Sequence, residues 1–187
     1  MQDKEVYQQY LNRIIRKKAT EYHMQGMQKQ SKENVVSFCL EDYHLFYTIE
    51  TDLDAWDLNL QWVIELEENQ FRLLIFVDPI MFETTKRKQG ACILANDINS
   101  RMKIPGKYSV YMDKGDFVYD LIFPYELLET MPEFVEKSLF DWPIQFWETI
   151  HIPLVMFAHD IWPIDLASDY LTTLMDQGWI DNGPYGL

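Results

Sequence analysis

Ten consecutive residues constrain this chain more than any others. From Leu58 to Glu67, the apolar Leu58, Leu60, Trp62, Ile64 and Leu66 alternate with Asn59, Gln61, Val63, Glu65 and Glu67. Period two is the signature of a strand with one buried face, and a helix cannot gather such a pattern on one side. Glu68, Asn69 and Gln70 make a turn. Phe71 to Val77 returns as a more uniformly apolar strand, which Asp78 and Pro79 are expected to end. The pair reads as a hairpin, so any fold must contain an antiparallel sheet.

Two further hairpins read the same way. Val35 to Leu40 and Tyr43 to Glu50 flank Glu41 and Asp42. Tyr108, Val110 and Met112 alternate into a Lys114-Gly115 turn between Asp113 and Asp116, and Phe117, Tyr119, Leu121 and Phe123 alternate back.

Helices take the remaining segments. Tyr7, Tyr10, Leu11, Ile14, Ile15 and Tyr22 form a helical stripe ending near Met24, with a linker at Gln28 to Asn34. Lys86 to Lys103 places Ala91, Leu94, Ala95, Ile98 and Met102 on one face, with Asn96, Asn99, Ser100 and Arg101 outward. That helix stops before Pro105 and Gly106. Pro143 and Pro163 mark helix starts and Gly178 suits a C-cap. Ile144 to Phe157 is apolar on nearly all sides, with a kink or break expected at Pro153. Residues 181–187 should fray.

Hairpins interrupted by single helices predict an α+β, two-layer fold, an antiparallel sheet with helices packed on one face. The chain divides into a basic amphipathic helix and linker (1–33), a central α+β domain (34–160) and a C-terminal helical extension (161–187). At 187 residues, 48% of them hydrophobic and 15% aromatic, the chain can bury a core without disulfides or metals.

The formal net charge is −14, which argues against nucleic acid as a partner because phosphate neutralisation needs clustered Lys and Arg. No apolar run is long enough for a membrane span, and MQDKEVYQQY lacks a signal-peptide core, so a cytoplasmic protein is expected. Seven basic residues outnumber four acidic ones in the first 33 positions, whereas Asp116 onward holds thirteen acids against Lys137 alone. This asymmetry suggests attraction between arm and acidic end, within one chain or between two, but ordinary solvated faces are the favoured reading, since charge runs usually serve solubility.

The stretches FRLLIFVDP, LANDINSRMKIPGKYSVYMDKGDFVYDLIFP and FVEKSLFDWPIQFWETI resemble the YbjN family, described as sensory transduction regulators. They carry the family's helix with an Asn-rich outer face (Asn96, Asn99), a Gly-Lys-Tyr stretch (Gly106, Lys107, Tyr108) and an acidic, glycine-containing turn (Asp113 to Asp116). The resemblance covers roughly residues 34–158. It implies a type III secretion chaperone-like fold and a non-enzymatic, interaction-type role, and it brings no catalytic residues.

Read directly, the residues nominate little chemistry. Glu148 and His151 form an E-x-x-H pair, with His159 and Asp160 one to two turns on. A metal is conceivable there, but no second motif completes a site, so packing histidines are the favoured reading. His23 and His44 read as structural. Cys39 and Cys92 read as buried thiols. Asp52, Asp54 and Asp57 lack the glycine and distal Glu of a calcium loop. No G-x-S-x-G, Walker-type loop or H-E-x-x-H occurs, and no serine stands out as a nucleophile. Catalytic residues, cofactors and metals are therefore assigned as none.

Large aromatics are what interfaces use. Trp56, Trp142, Phe146, Trp147, Trp162 and Trp179 are the candidate interaction surface. The expected function is a chaperone-like or regulatory interaction module that binds a polypeptide partner or a second copy as a homodimer. The alternative is an acidic immunity or inhibitor-type protein that masks a basic enzyme.

Overall fold

The computed structural model describes residues 4–26, 42–51 and 57–177. Along them run α1 (Lys4–Glu21), β1 (Gln25–Gly26), β2 (Asp42–Ile49), β3 (Leu58–Leu66), β4 (Gln70–Met81), α2 (Thr85–Arg101), β5 (Lys107–Tyr111) and β6 (Asp116–Pro124). Then follow α3 (Leu127–Thr130), α4 (Pro132–Glu136), a π-helical turn (Lys137–Asp141), α5 (Trp142–Ala158) and α6 (Ile164–Asp176). The strands form one antiparallel sheet in the order β1-β2-β3-β4-β6-β5, so the fold is α+β. The expected strand Val35–Leu40, the linker, Cys39, Asp52, Asp54, Trp56, Gly178, Trp179 and residues 181–187 lie outside the described residues.

In β3 the alternation sorts the two faces. Leu58, Leu60, Trp62 and Ile64 are fully buried, and they join Phe71, Leu73 and Ile75 of β4 and the odd-numbered residues of β6 in one core with the helices. The opposite face carries a separate small cluster of Val63, Leu74 and Val118, which includes no helical residue. Trp62 ties the layers together. Its indole N–H donates to the Leu139 carbonyl at 2.9 Å and its ring stacks on Phe140. Both partners sit in the π-helical turn, whose wider spacing shifts the usual intrahelical bonding.

β4 continues through Asp78 and Pro79 to Met81 instead of ending there. Asp78 still pairs with Asn59 of β3, while the ladder to β6 shifts register between Phe76 and Met81. Pro79, which has no N–H to give, falls within that irregularity and costs no bond there. The β5–β6 hairpin turns at Gly115, whose φ of 90° a side chain would disfavour. Its carbonyl accepts the Phe82 N–H at 2.9 Å, anchoring the end of β4 to the turn.

α2 buries the expected Ala91, Leu94, Ala95 and Ile98, and Gly90 with them. A Cβ at Gly90 would come within 2.4 Å of the Phe157 ring, so α2 and α5 can approach only because the side chain is missing. Asn99 does not point idly outward. Its Nδ2 donates to the Tyr108 carbonyl at 2.8 Å and its Oδ1 accepts the Tyr108 N–H at 2.7 Å. α5 runs unbroken through Pro153, which is buried. The break expected there does not occur, because the packing of Pro153 and its buried neighbours Leu154 and Val155 compensates for the one lost hydrogen bond.

α1 buries Leu11, Ile14 and Ile15 and ends at Glu21, three residues before Met24. The Met24 N–H returns to the Ala19 carbonyl at 2.8 Å, and His23 sits at φ 52°, the left-handed position that closes a helix and that glycine fills at least cost. Replacing His23 by glycine is expected to raise stability by about 0.5–1 kcal/mol. A urea denaturation midpoint that did not rise would contradict this.

The basic arm does meet the acidic end, within one chain. Lys17 pairs with Glu136 at 2.5 Å, and Lys18 reaches Asp141 at 2.7 Å, Glu21 at 3.1 Å and Glu136 at 3.4 Å. The Tyr22 hydroxyl also donates to Asp141 at 2.7 Å.

Candidate functional site

Three of the six aromatics nominated from sequence are core residues. Trp142, Phe146 and Trp147 are 8%, 1% and 0% exposed. Trp147 meets Tyr108, Phe117 and Phe146 edge to face, and Trp142 packs against Phe134. Their size suits an interface, but these three side chains are already covered within the chain. Trp162 is half-buried.

The nominated metal ligands are not gathered. His151 Nδ1 lies 3.0 Å and 3.1 Å from the carbonyls of Trp147 and Glu148. Both partners are acceptors, so this nitrogen carries the proton and turns back onto its own helix. Burial raises the Glu148 carboxyl above its ordinary range. His159 lies beyond the end of α5, exposed. Among the described residues no group of three or more His, Cys, Asp or Glu is placed to hold a metal ion.

Cys92 is exposed rather than buried, because it stands one residue past Ala91 and so about 100° off the packed face of α2. Its Sγ lies 3.8 Å from the sulfur of Met112. His44 is half-buried on the outer sheet face, and its Nδ1 is buried with no hydrogen-bond partner. Asp57 accepts the Thr51 N–H, the role of a loop residue.

Among the recesses formed by the described residues are two on the surface. One, of about 510 Å³, lies on the outer sheet face among Phe46, Gln61, Phe76, Asn59 and Asp78. The other, of about 560 Å³, lies beside Glu83, Lys86, Arg87, His159 and Asp160. In the second, Arg87 is committed to structure. It donates to the Phe157 carbonyl at 2.6 Å, lies over the Phe157 ring and pairs with Asp160, closing the C-terminal end of α5.

Among the described residues, a row of partly exposed apolar side chains lies along α6. Pro163 precedes the helix and Asp165 lies in its first turn, both favourable at an N-terminus. Ala167, Leu171 and Met175, four residues apart, face inward and are buried. A second row with the same spacing runs beside them, with Trp162 just before the helix, then Leu166, Tyr170 and Leu174. Leu166 is 46% exposed, Tyr170 39%, and the adjoining Ile161 51%. The Trp162 and Tyr170 rings touch edge to face at 5.3 Å.

Asp165 and Asp169 form an acidic row along the other side of this apolar one, both exposed. The helix is held by Arg101 to Asp176 at 2.7 Å and by Ser168 donating to Asp97 at 2.8 Å. Sequence reasoning chose tryptophans by size and missed Leu166 and Tyr170. The available signal was the double row at spacing four, too wide an apolar arc for one buried face. No family model, curated protein or solved structure matches this chain.

Proposed function

We propose that the chain is a non-enzymatic, cytoplasmic protein-interaction module, regulatory or chaperone-like, that binds a polypeptide partner. The observation that carries this reading is the row Trp162, Leu166 and Tyr170 on a helix whose other apolar row is already buried. Contiguous apolar surface of this kind marks interaction sites. The likeness to the YbjN family and its type III secretion chaperone-like fold supports the same class. No helix among the described residues is long and apolar enough to cross a membrane, which fits a partner other than lipid.

A second reading, an acidic inhibitor that masks a basic enzyme, is favoured by one observation. Acidic side chains outnumber basic ones by 30 to 16, and Lys17, Lys18, Arg72, Arg87 and Arg101 are already paired with carboxylates inside the molecule.

Affinity purification from the native cell tests the first reading, using the wild-type chain and a Leu166→Ser/Tyr170→Ser variant. The expected result is one stoichiometric partner whose recovery falls about tenfold with the variant. Equal recovery by both chains, or none by either from a strictly monomeric protein, removes the reading.

A further inference from the structure

We infer that the α6 row is a receptor for a basic amphipathic helix, one that presents an apolar stripe flanked by Lys or Arg. This rests on the interaction reading above and specifies its partner. Three observations carry it.

The apolar row is linear and runs at helical spacing over Trp162, Leu166 and Tyr170, with Ile161 and Leu166 about half exposed. A row of this form takes a helix laid alongside it, which buries anchors at every third or fourth position. It does not suit a flat sheet or a compact ligand.

The flank is acidic and uncompensated. From Asp160 to the C-terminus the chain has no Lys, Arg or His. Asp160 and Asp176 are held by Arg87 and Arg101, but among the described residues Asp165 and Asp169 meet no cation. These two carboxylates, one turn apart beside the apolar row, fit the charges that border the stripe of a basic helix.

The molecule already makes such a contact once within itself. α1 is a basic amphipathic helix that buries Leu11, Ile14 and Ile15 and sets Lys17 and Lys18 against Glu136 and Asp141. The α6 row offers the same two elements, apolar anchors and acids, to a helix from outside. A net charge of −14 opposes a second copy of this chain as the occupant.

Titration calorimetry at low salt, with two synthetic peptides against the full chain, tests this. The basic helix KLLKLLKKLLKLLK should bind, and its acidic counterpart ELLELLEELLELLE should not. Leu166→Ser/Tyr170→Ser should weaken binding of the basic peptide at least about tenfold. Asp165→Asn/Asp169→Asn should weaken it about threefold to tenfold and flatten its salt dependence. All four positions are exposed, so thermal melting should move little, and a melt within a few degrees of wild type confirms that the variants are folded.

Equal binding of both peptides, or basic-peptide binding that neither variant alters, overturns the inference. So does self-association of the wild-type chain that the Leu166→Ser/Tyr170→Ser variant abolishes, because the occupant would then be a second copy. If a cellular partner is captured through the row while the basic peptide fails to bind, the partner chemistry is wrong and the interaction reading stands.

Discussion

Replacing Trp147 by alanine is expected to cost about 3–5 kcal/mol, enough to unfold a domain of ordinary stability. Trp147 has no exposed surface and meets Tyr108, Phe117 and Phe146, residues of β5, β6 and α5, so the cavity left behind would separate both layers. Trp147→Phe should behave differently. The indole N–H is buried without a partner, and an unsatisfied donor is itself a cost that phenylalanine would relieve. The ring lost is partly offset by the donor removed, and the net cost should stay below about 1.5 kcal/mol. Urea denaturation of the three proteins checks the pair. Equal losses for both variants would mean that the indole N–H is satisfied or that the site cannot hold a smaller ring.

Lys18→Ala is the second large effect, expected near 3 kcal/mol because the side chain is only 5% exposed and sits among Glu21, Glu136 and Asp141. Glu21 is half exposed and contributes little. The main loss is at Asp141, left with the Tyr22 hydroxyl alone. Lys18→Met keeps the stem and should cost less, since part of the role is packing.

The same cluster predicts a pH dependence. Burial lowers the Lys18 pKa, but the bonds to Asp141 and Glu21 more than restore it, and the net shift is upward. The Tyr22 hydroxyl is also shifted up, by burial and by Asp141. For both groups the folded chain holds its proton more tightly than the unfolded one. Their contribution is therefore complete below about pH 10 and is lost as pH rises beyond it. Tyr108 and Tyr119, raised mainly by burial, act in the same direction. Denaturation midpoints at pH 8 and pH 11 should show a fall in the wild type that is smaller in Lys18→Met. A fall of the same size in both would assign it to the tyrosines alone.

The sheet was legible because period two leaves little freedom. Leu58 to Leu66 and Phe117 to Phe123 place their side chains as the alternation requires. What could not be read was tertiary compensation. Nothing local shows that Pro79 falls at a register shift or that Pro153 lies on a buried face of α5 and so leaves the helix intact. Trp142, Phe146 and Trp147 proved to be core residues for a related reason. Tryptophan content records how much apolar surface a segment has, whereas exposure depends on which neighbours arrive from elsewhere in the chain. Leu166 and Tyr170, smaller than the tryptophans, are among the apolar residues left exposed. Attraction between the basic arm and the acidic end was legible as charge, but the residues that carry it, Lys17 and Lys18, emerge only once α1 has a buried face.

The two hydrogen bonds between Asn99 and Tyr108 bear on the free edge of the sheet. β5 is the last strand of the sheet, where unpaired peptide groups would template an incoming chain and seed fibrous growth. An asparagine amide has the donor and acceptor of a peptide unit, so Asn99 occupies the place of one residue of a further strand. It blocks extension there without adding any chain that could itself propagate. Strand addition at Tyr108 is thus closed. Asn99→Leu should accordingly reveal itself less in the melting temperature than in a new tendency to aggregate on storage.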